Sequence, residues 1–163
     1  VSNQPQYSML WRVIEEWVVP TSEELGVSQI CWSPVAQGVL TGKYLPGQPL
    51  PKNSRATDEN GGAAMIQRFL RDDVIETVQK LRPIAEELDL TMAQLAVAWV
   101  LANPNVACAI IGASRPSQIK ENVAASGVQL PDEVLSRIDD ALGDVVVRNP
   151  MLTAENTPKV RPC

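Results

Sequence analysis

The sequence contains no histidine and only three cysteines, Cys31, Cys108 and Cys163. Zinc sites draw on those two residue types. No cysteine pair has metal-ligand spacing, so no metal site is expected. There is no run of lysine and arginine, and the 163-residue chain has a formal charge of −5. That balance argues against nucleic acid as a partner. No apolar stretch is long enough to span a bilayer, so membrane insertion is not expected. Val1 opens no signal-peptide pattern. The missing initial methionine points to a translational start further upstream. Cys31 and Cys108 fall inside strand candidates and read as small core residues in a reducing compartment, and the expected location is cytoplasmic. The length itself is that of one domain, enough for a real core.

Two strand-to-turn transitions carry most of the functional signal. The first is the run Val27 to Cys31, a strand weakened by Ser28 and Gln29. It leads into Trp32-Ser33-Pro34-Val35-Ala36-Gln37-Gly38-Val39-Leu40-Thr41-Gly42-Lys43-Tyr44. Such a segment after a strand is how a barrel builds a ligand site at its C-terminal strand ends. Gly38 and Gly42 let backbone approach a ligand, nearby N–H groups offer an anion cradle, and Lys43 adds charge. Trp32 offers a ring face to a flat heterocycle, or else belongs to the core.

The second is the apolar strand Val106 to Ile111, which runs into Gly112-Ala113-Ser114-Arg115-Pro116-Ser117-Gln118-Ile119-Lys120-Glu121-Asn122. Pro116 suits the first turn of a helix and Ser114 is a candidate cap. A helix start of this kind attracts anions, and Ser114 and Arg115 are suited to phosphate. Plain capping with a solvated Arg115 is the structural alternative.

These two motifs, with Asn3-Gln4-Pro5-Gln6-Tyr7 and Ser54-Arg55, resemble the C-terminal half of an aldo-keto reductase. The resembling branch includes the potassium-channel beta subunits and their bacterial relatives. The resemblance runs from about Ser2 to Gly143, so residues 1–143 read as half of a (β/α)8 TIM barrel, α/β in class and incomplete. It implies NADP(H) as cofactor. Gln4 would hold the nicotinamide carboxamide and Trp32 would stack on the ring. Ser33, Pro34, Val35, Ala36, Gln37, Gly38 and Leu40 would line the pyrophosphate, with Lys43 nearby. Arg55 would reach in from a closing loop. Ser114, Arg115 and Gln118 would meet the adenosine 2′-phosphate, and Glu121 and Asn122 the adenine, with Gly112 a further cofactor-binding position. Many members carry a basic residue in place of Gln118. The family's Asp, Tyr, Lys and His catalytic set belongs to the N-terminal half, so no catalytic residue is assigned here. Tyr7 and Tyr44 are not substitutes.

Along the rest of the chain, Val1 to Met9 reads as the end of a strand. Ile14 to Leu25 reads as a helix restarted at Pro20. Leu45 to Ala63, rich in Pro, Gly and Asn, reads as a long loop, functional or mobile. Asp72 to Leu88 has helical spacing with a break at Pro83. Thr91-Met92-Ala93-Gln94 is a capping box opening a buried helix that ends before Asn103-Pro104. Helices are expected over Ser117 to Ala125 and from Leu130 to Gly143, and residues 144–163 read as an irregular tail. About three parallel strands follow, where a closed barrel needs eight. Their open edges point to a chain that is not self-sufficient.

The functional expectations are a carbonyl reductase half acting on a small aldehyde or ketone, or a cofactor-sensing subunit with a channel-type protein partner. A half-barrel that assembles with itself or another chain, and a truncated product without function, complete the set.

Overall fold

The computed structural model describes residues 1–156. Strands β1 (Ser2–Asn3), β2 (Ser28–Trp32) and β3 (Val106–Ile110) form one parallel sheet in the order β1-β2-β3. Helices fill the intervals: α1 (Val18–Glu24), α2 (Gly62–Ile66), α3 (Asp72–Gln79), α4 (Arg82–Glu87) and α5 (Met92–Leu101). After β3 come α6 (Pro116–Val123), α7 (Asp132–Leu142) and α8 (Met151–Asn156). The class is α/β with parallel strands, as expected. Among the described residues no further strand pairs with the outer edge of β1 or β3.

The polar residues that weaken β2 as a sequence signal are what align the sheet. Gln29 is fully buried. Its Oε1 accepts from Asn3 Nδ2 at 2.9 Å, and its Nε2 donates to Asn105 Oδ1 at 2.8 Å. Asn105 Nδ2 in turn donates to the Val27 carbonyl at 3.0 Å. One satisfied amide thus ties β1, β2 and the entrance to β3 at their N-terminal ends. A buried amide left unpaired is costly, so this arrangement resists slippage of any strand. Beyond a register irregularity at Gln29/Ile30, Trp32 lies beside Ile110 at the far end.

The helices follow their local signals with some corrections. The helix expected from Ile14 starts only at Val18, which leaves Pro20 in its first turn, where proline is tolerated. The run Asp72 to Leu88 breaks into α3 and α4, with Pro83 at the start of the second. Helix α5 opens on the capping box, Thr91 Oγ1 accepting from Gln94 N–H and Gln94 Oε1 from Thr91 N–H. It buries Met92 and Leu95 through Val100, in keeping with its all-round apolar sequence. The position before α6 is held by Arg115 rather than Ser114. Cys108 is exposed, not core, because the face of β3 that bears it has no covering layer; Cys31 is buried. Burial pushes the Cys31 thiol up to about 12, with a smaller contribution from Cys108.

The tail is not wholly irregular. Val147 pairs with the segment around Trp11, its N–H donating to the Leu10 carbonyl at 3.0 Å and its carbonyl accepting from Arg12 N–H at 2.8 Å. Helix α8 then forms because Asn149 Oδ1 accepts from Met151 N–H at 3.0 Å and Pro150 restricts the first turn. The part of the expected tail from 157 to 163 lies outside the described residues. Beside this clasp, buried Arg12 lies 4.3 Å from the Trp99 ring centroid and 2.6 Å from Asp139 Oδ1. Tyr7, also buried, donates to Glu15 Oε1 at 2.8 Å.

Two predictions follow from this packing. Gln29→Leu removes both hydrogen bonds of the buried amide that joins Asn3 to Asn105 and should lower the unfolding free energy by about 2 kcal/mol, read from urea curves. Burial, then the Glu15 charge, raises the Tyr7 phenol well above its ordinary value. Below about pH 10 both folded and unfolded chains keep that proton; above it only the unfolded phenol ionises. The unfolded chain then binds fewer protons, so stability falls as pH rises. The fall between about pH 9 and pH 11 should be visibly shallower in Tyr7→Phe.

Candidate functional site

A cleft of about 1070 Å³ opens at the C-terminal ends of β2 and β3. Three segments wall it: the turn after β2, the loop around residues 51–55, and the β3–α6 connection. Ser33, Pro34, Val35, Gln37, Gly38 and Lys43 line it from the first segment, Arg55 from the second, and Gly112, Ser114, Arg115, Gln118, Glu121 and Asn122 from the third. The topology therefore brings residues far apart in sequence around one space. Four of the expected residues lie elsewhere. Ala36 and Leu40 are buried in the core, Gln4 is exposed beyond β1, and Trp32 is half-buried at the end of β2.

The turn after β2 has an unusual backbone. Ser33 (φ 61°), Ala36 (φ 46°) and Gln37 (φ 58°) are left-handed, followed by Gly38 (φ 100°) and Gly42 (φ 72°). Each non-glycine residue held there costs about 1–2 kcal/mol. Ser33 offsets part of that cost, because its Oγ accepts from the Gln37 N–H at 3.2 Å and from Gln37 Nε2 at 2.8 Å. The strain bends the chain so that residues 33–43 form one wall instead of continuing past the sheet. The amides of Ala36, Gln37, Gly38 and Leu40 are committed to this turn's own hydrogen bonds. The anion cradle expected from backbone N–H groups is therefore not open at those four positions, and side-chain charge carries more of the attraction. Gly38 also makes room for a cation, since a Cβ there would lie 3.3 Å from Lys43 Nζ.

That charge is concentrated. Lys43, Lys52, Arg55 and Arg115 line the cleft, against a single lining carboxylate, Glu121. On a chain of net charge −5 the cleft is locally reversed in sign. Low-dielectric walls strengthen such a field. Lys52, Asn53, Ser54 and Thr41 are lining residues that the sequence reading does not name as site residues, although Ser54 and Thr41 stand inside its motifs. Lys52 had no signal beyond its place in the long loop. Thr91 and Ala93 enter from the start of α5, a helix with no functional signature. Gln94 Nε2 pins that helix start to α6 by donating to the Glu121 carbonyl at 2.9 Å.

The third segment has its own internal contact. Gln118 Oε1 accepts from Ser114 N–H at 2.8 Å, Ser114 Oγ at 3.1 Å and Arg115 N–H at 3.1 Å. Among the described residues no group of three or more acidic or thiol side chains is placed to hold a metal ion. No helix among them is long and apolar enough to cross a membrane.

The fold is thus a parallel α/β sheet with a cationic cleft at its C-terminal strand ends. The chain belongs to the aldo/keto reductase family, whose model matches residues 1–142. It is 43% identical over 145 residues to a probable voltage-gated potassium channel subunit beta of Arabidopsis thaliana, covering 87% of this chain and 44% of that protein. To a probable voltage-gated potassium channel subunit beta of Oryza sativa subsp. japonica it is 41% identical, over 85% of this chain and 43% of that protein. It is 34% identical to the L-glyceraldehyde 3-phosphate reductase of Escherichia coli (strain K12), over 87% of this chain and 41% of the enzyme. The chain thus spans less than half the length of these curated relatives.

Ser33→Ala removes both side-chain contacts to Gln37 in the left-handed turn. It should lower stability by about 1 kcal/mol and raise amide hydrogen exchange at Gln37 by more than at the β-sheet amides, which follow only the global loss.

Proposed function

We propose that this chain is the NADP(H)-holding part of an aldo-keto reductase-type oxidoreductase that reduces an aldehyde or ketone. The observation that carries the reading is the cleft at the ends of β2 and β3, cationic on an acidic chain. Its residues fit a dinucleotide: dispersed cations suit a diphosphate and a further phosphate, and Ser114 and Asn122 add polar contacts. In this reading Lys43, Lys52 and Arg55 meet the pyrophosphate, with Ser33, Pro34, Val35, Gln37 and Gly38 as the wall. Ser114, Arg115 and Gln118 hold the 2′-phosphate, and Glu121 and Asn122 the adenine. Trp32 at the end of β2 and Gln4 beyond β1 lie outside the cleft lining; their parts here, stacking on the nicotinamide and holding its carboxamide, rest on the family likeness alone. When bound, such a cofactor supplies hydride to a carbonyl carbon. In this reading the proton donor and its partners come from outside these residues, since the chain has no histidine, and Lys43, which lies 5.2 Å from the centroid of the buried Tyr44 ring, faces the ring and not the hydroxyl of a catalytic pair. The proposed location is cytoplasmic.

The higher identity to the channel beta subunits than to the reductase favours a second reading, a cofactor-sensing subunit that binds NADPH and a channel-type partner with little turnover. Joining the chain to a complementary upstream half and assaying NADPH oxidation with a test aldehyde separates the two.

The first test is a calorimetric titration of the chain with NADPH. Saturable binding is expected, weakened roughly tenfold by Lys43→Met or Arg55→Met. Binding that neither substitution changes would rule out the cleft as the cofactor site.

A further inference from the structure

Helix α6 carries cleft residues without a core to hold it. None of its residues is buried, and Ile119 and Val123 are more than half exposed. Between these two and Val97 and Leu101 of α5 lies the hollow of about 380 Å³ in place of packed side chains. Dispersion contacts are forfeited across such a gap. Yet Glu121 and Asn122 of α6 line the cleft, as do Thr91 and Ala93 at the start of α5. Among the described residues one hydrogen bond joins α6 to another helix, from Gln94 Nε2 to the Glu121 carbonyl at 2.9 Å. That carbonyl is open because the helix is ending. The Ala125 N–H, which would serve it in a continuing helix, donates to the Asn122 carbonyl instead. Gln94 is fixed in turn: its Oε1 accepts from Thr91 N–H at 2.8 Å, and its own N–H donates to Thr91 Oγ1 at 3.2 Å. One side chain thus closes the cap of α5 with its oxygen and holds α6 with its nitrogen.

We propose that Gln94 is a positioning residue: it fixes Glu121 and Asn122 against the start of α5, so that the nucleoside end of the cleft is formed before a ligand arrives. The inference rests on the reading of the cleft as a dinucleotide site. Gln94 is not itself a lining residue and acts through α6. Without the tie, α6 is held mainly by the exposed connection after β3, and a ligand has to order the helix as it binds. That ordering subtracts from affinity. Lys43, Lys52 and Arg55 stand on other segments of the wall. The loss therefore falls on the nucleoside part of a ligand and spares its diphosphate part.

Two substitutions separate the tie from the cap. Gln94→Glu keeps an oxygen for the Thr91 N–H but has no N–H for the Glu121 carbonyl, and Gln94→Met has neither. The test measures binding of adenosine 2′-monophosphate, NADPH and inorganic pyrophosphate to the chain and to both variants by calorimetry, with urea unfolding and α6 amide exchange alongside. Both nucleotides should bind roughly three- to tenfold more weakly to each variant. Pyrophosphate should bind Gln94→Met as it binds the unaltered chain. The α6 amides should exchange faster in both variants, and the urea midpoint should fall further in Gln94→Met, which also loses the cap. Nucleotide binding to Gln94→Glu equal to that of the unaltered chain would reduce Gln94 to a capping residue and overturn the proposal. Weakening in Gln94→Glu alone would be the effect of its added charge and would overturn it too, as would an equal loss of pyrophosphate in Gln94→Met. If neither nucleotide binds to the unaltered chain, the cofactor reading itself fails and the inference goes with it.

Discussion

The arrangement depends on one buried side chain. Gln29 lies where an aliphatic residue is usual in a parallel strand, and it is held by Asn3 on one side and Asn105 on the other. Hydrophobic contacts between short strands specify depth of burial but tolerate sliding; hydrogen bonds to a single amide do not. With β1 only two residues long, there is little ladder to set the register otherwise. The alignment fixed at this end is transmitted along β2 and β3 to Trp32 and Ile110, where both strands end at the cleft. A polar group in the core therefore sets the spacing between two walls of the cleft at the opposite end of the strands.

Those walls are built in different ways. After β2 the chain turns on left-handed residues, strained and held by Ser33, with a core anchor at Ala36, Val39 and Leu40. After β3 it turns through an exposed segment held by one glutamine. The first wall resists rearrangement because buried side chains would have to move with it. The second exchanges only surface hydrogen bonds, each worth little net. Adjustment to a ligand is thus expected at the Ser114 end and not at the Ser33 end.

The order of elements, the three parallel strands, the break at Pro83 and the buried helix after Thr91 were legible because local chemistry decides them: proline geometry, a capping box, and apolar spacing. The bringing together of Ser33, Arg55 and Ser114 was legible only through the resemblance, since nothing local says that residues this far apart share a cleft. Lys52 was missed for the same reason. The exposure of Cys108 was misread because an apolar strand predicts burial, and burial depends on what covers the strand. The helix at 151–156 was hidden by its prolines, which suggested irregularity although Pro150 precedes the helix.

The misreading of Cys108 leads to the last point. β3 reads Val-Ala-Cys-Ala-Ile, apolar at every position, the composition of a strand buried on both faces. Here Ala107, Cys108 and Ile110 are exposed, and an apolar hollow of about 380 Å³ lies beside the strand, between α5 and α6. On the register shared with β2, Ile30 sits beside Cys108 and Trp32 beside Ile110, so one apolar face continues across both strands. A free-standing sheet with one covered face would alternate apolar and polar residues at these positions. The absence of that alternation fits a partial barrel, in which further chain covers this face and both sheet edges. Under that reading Trp32, half-buried at the end of β2, is covered only on completion, whereas the cationic end of the cleft is already formed by residues of this chain.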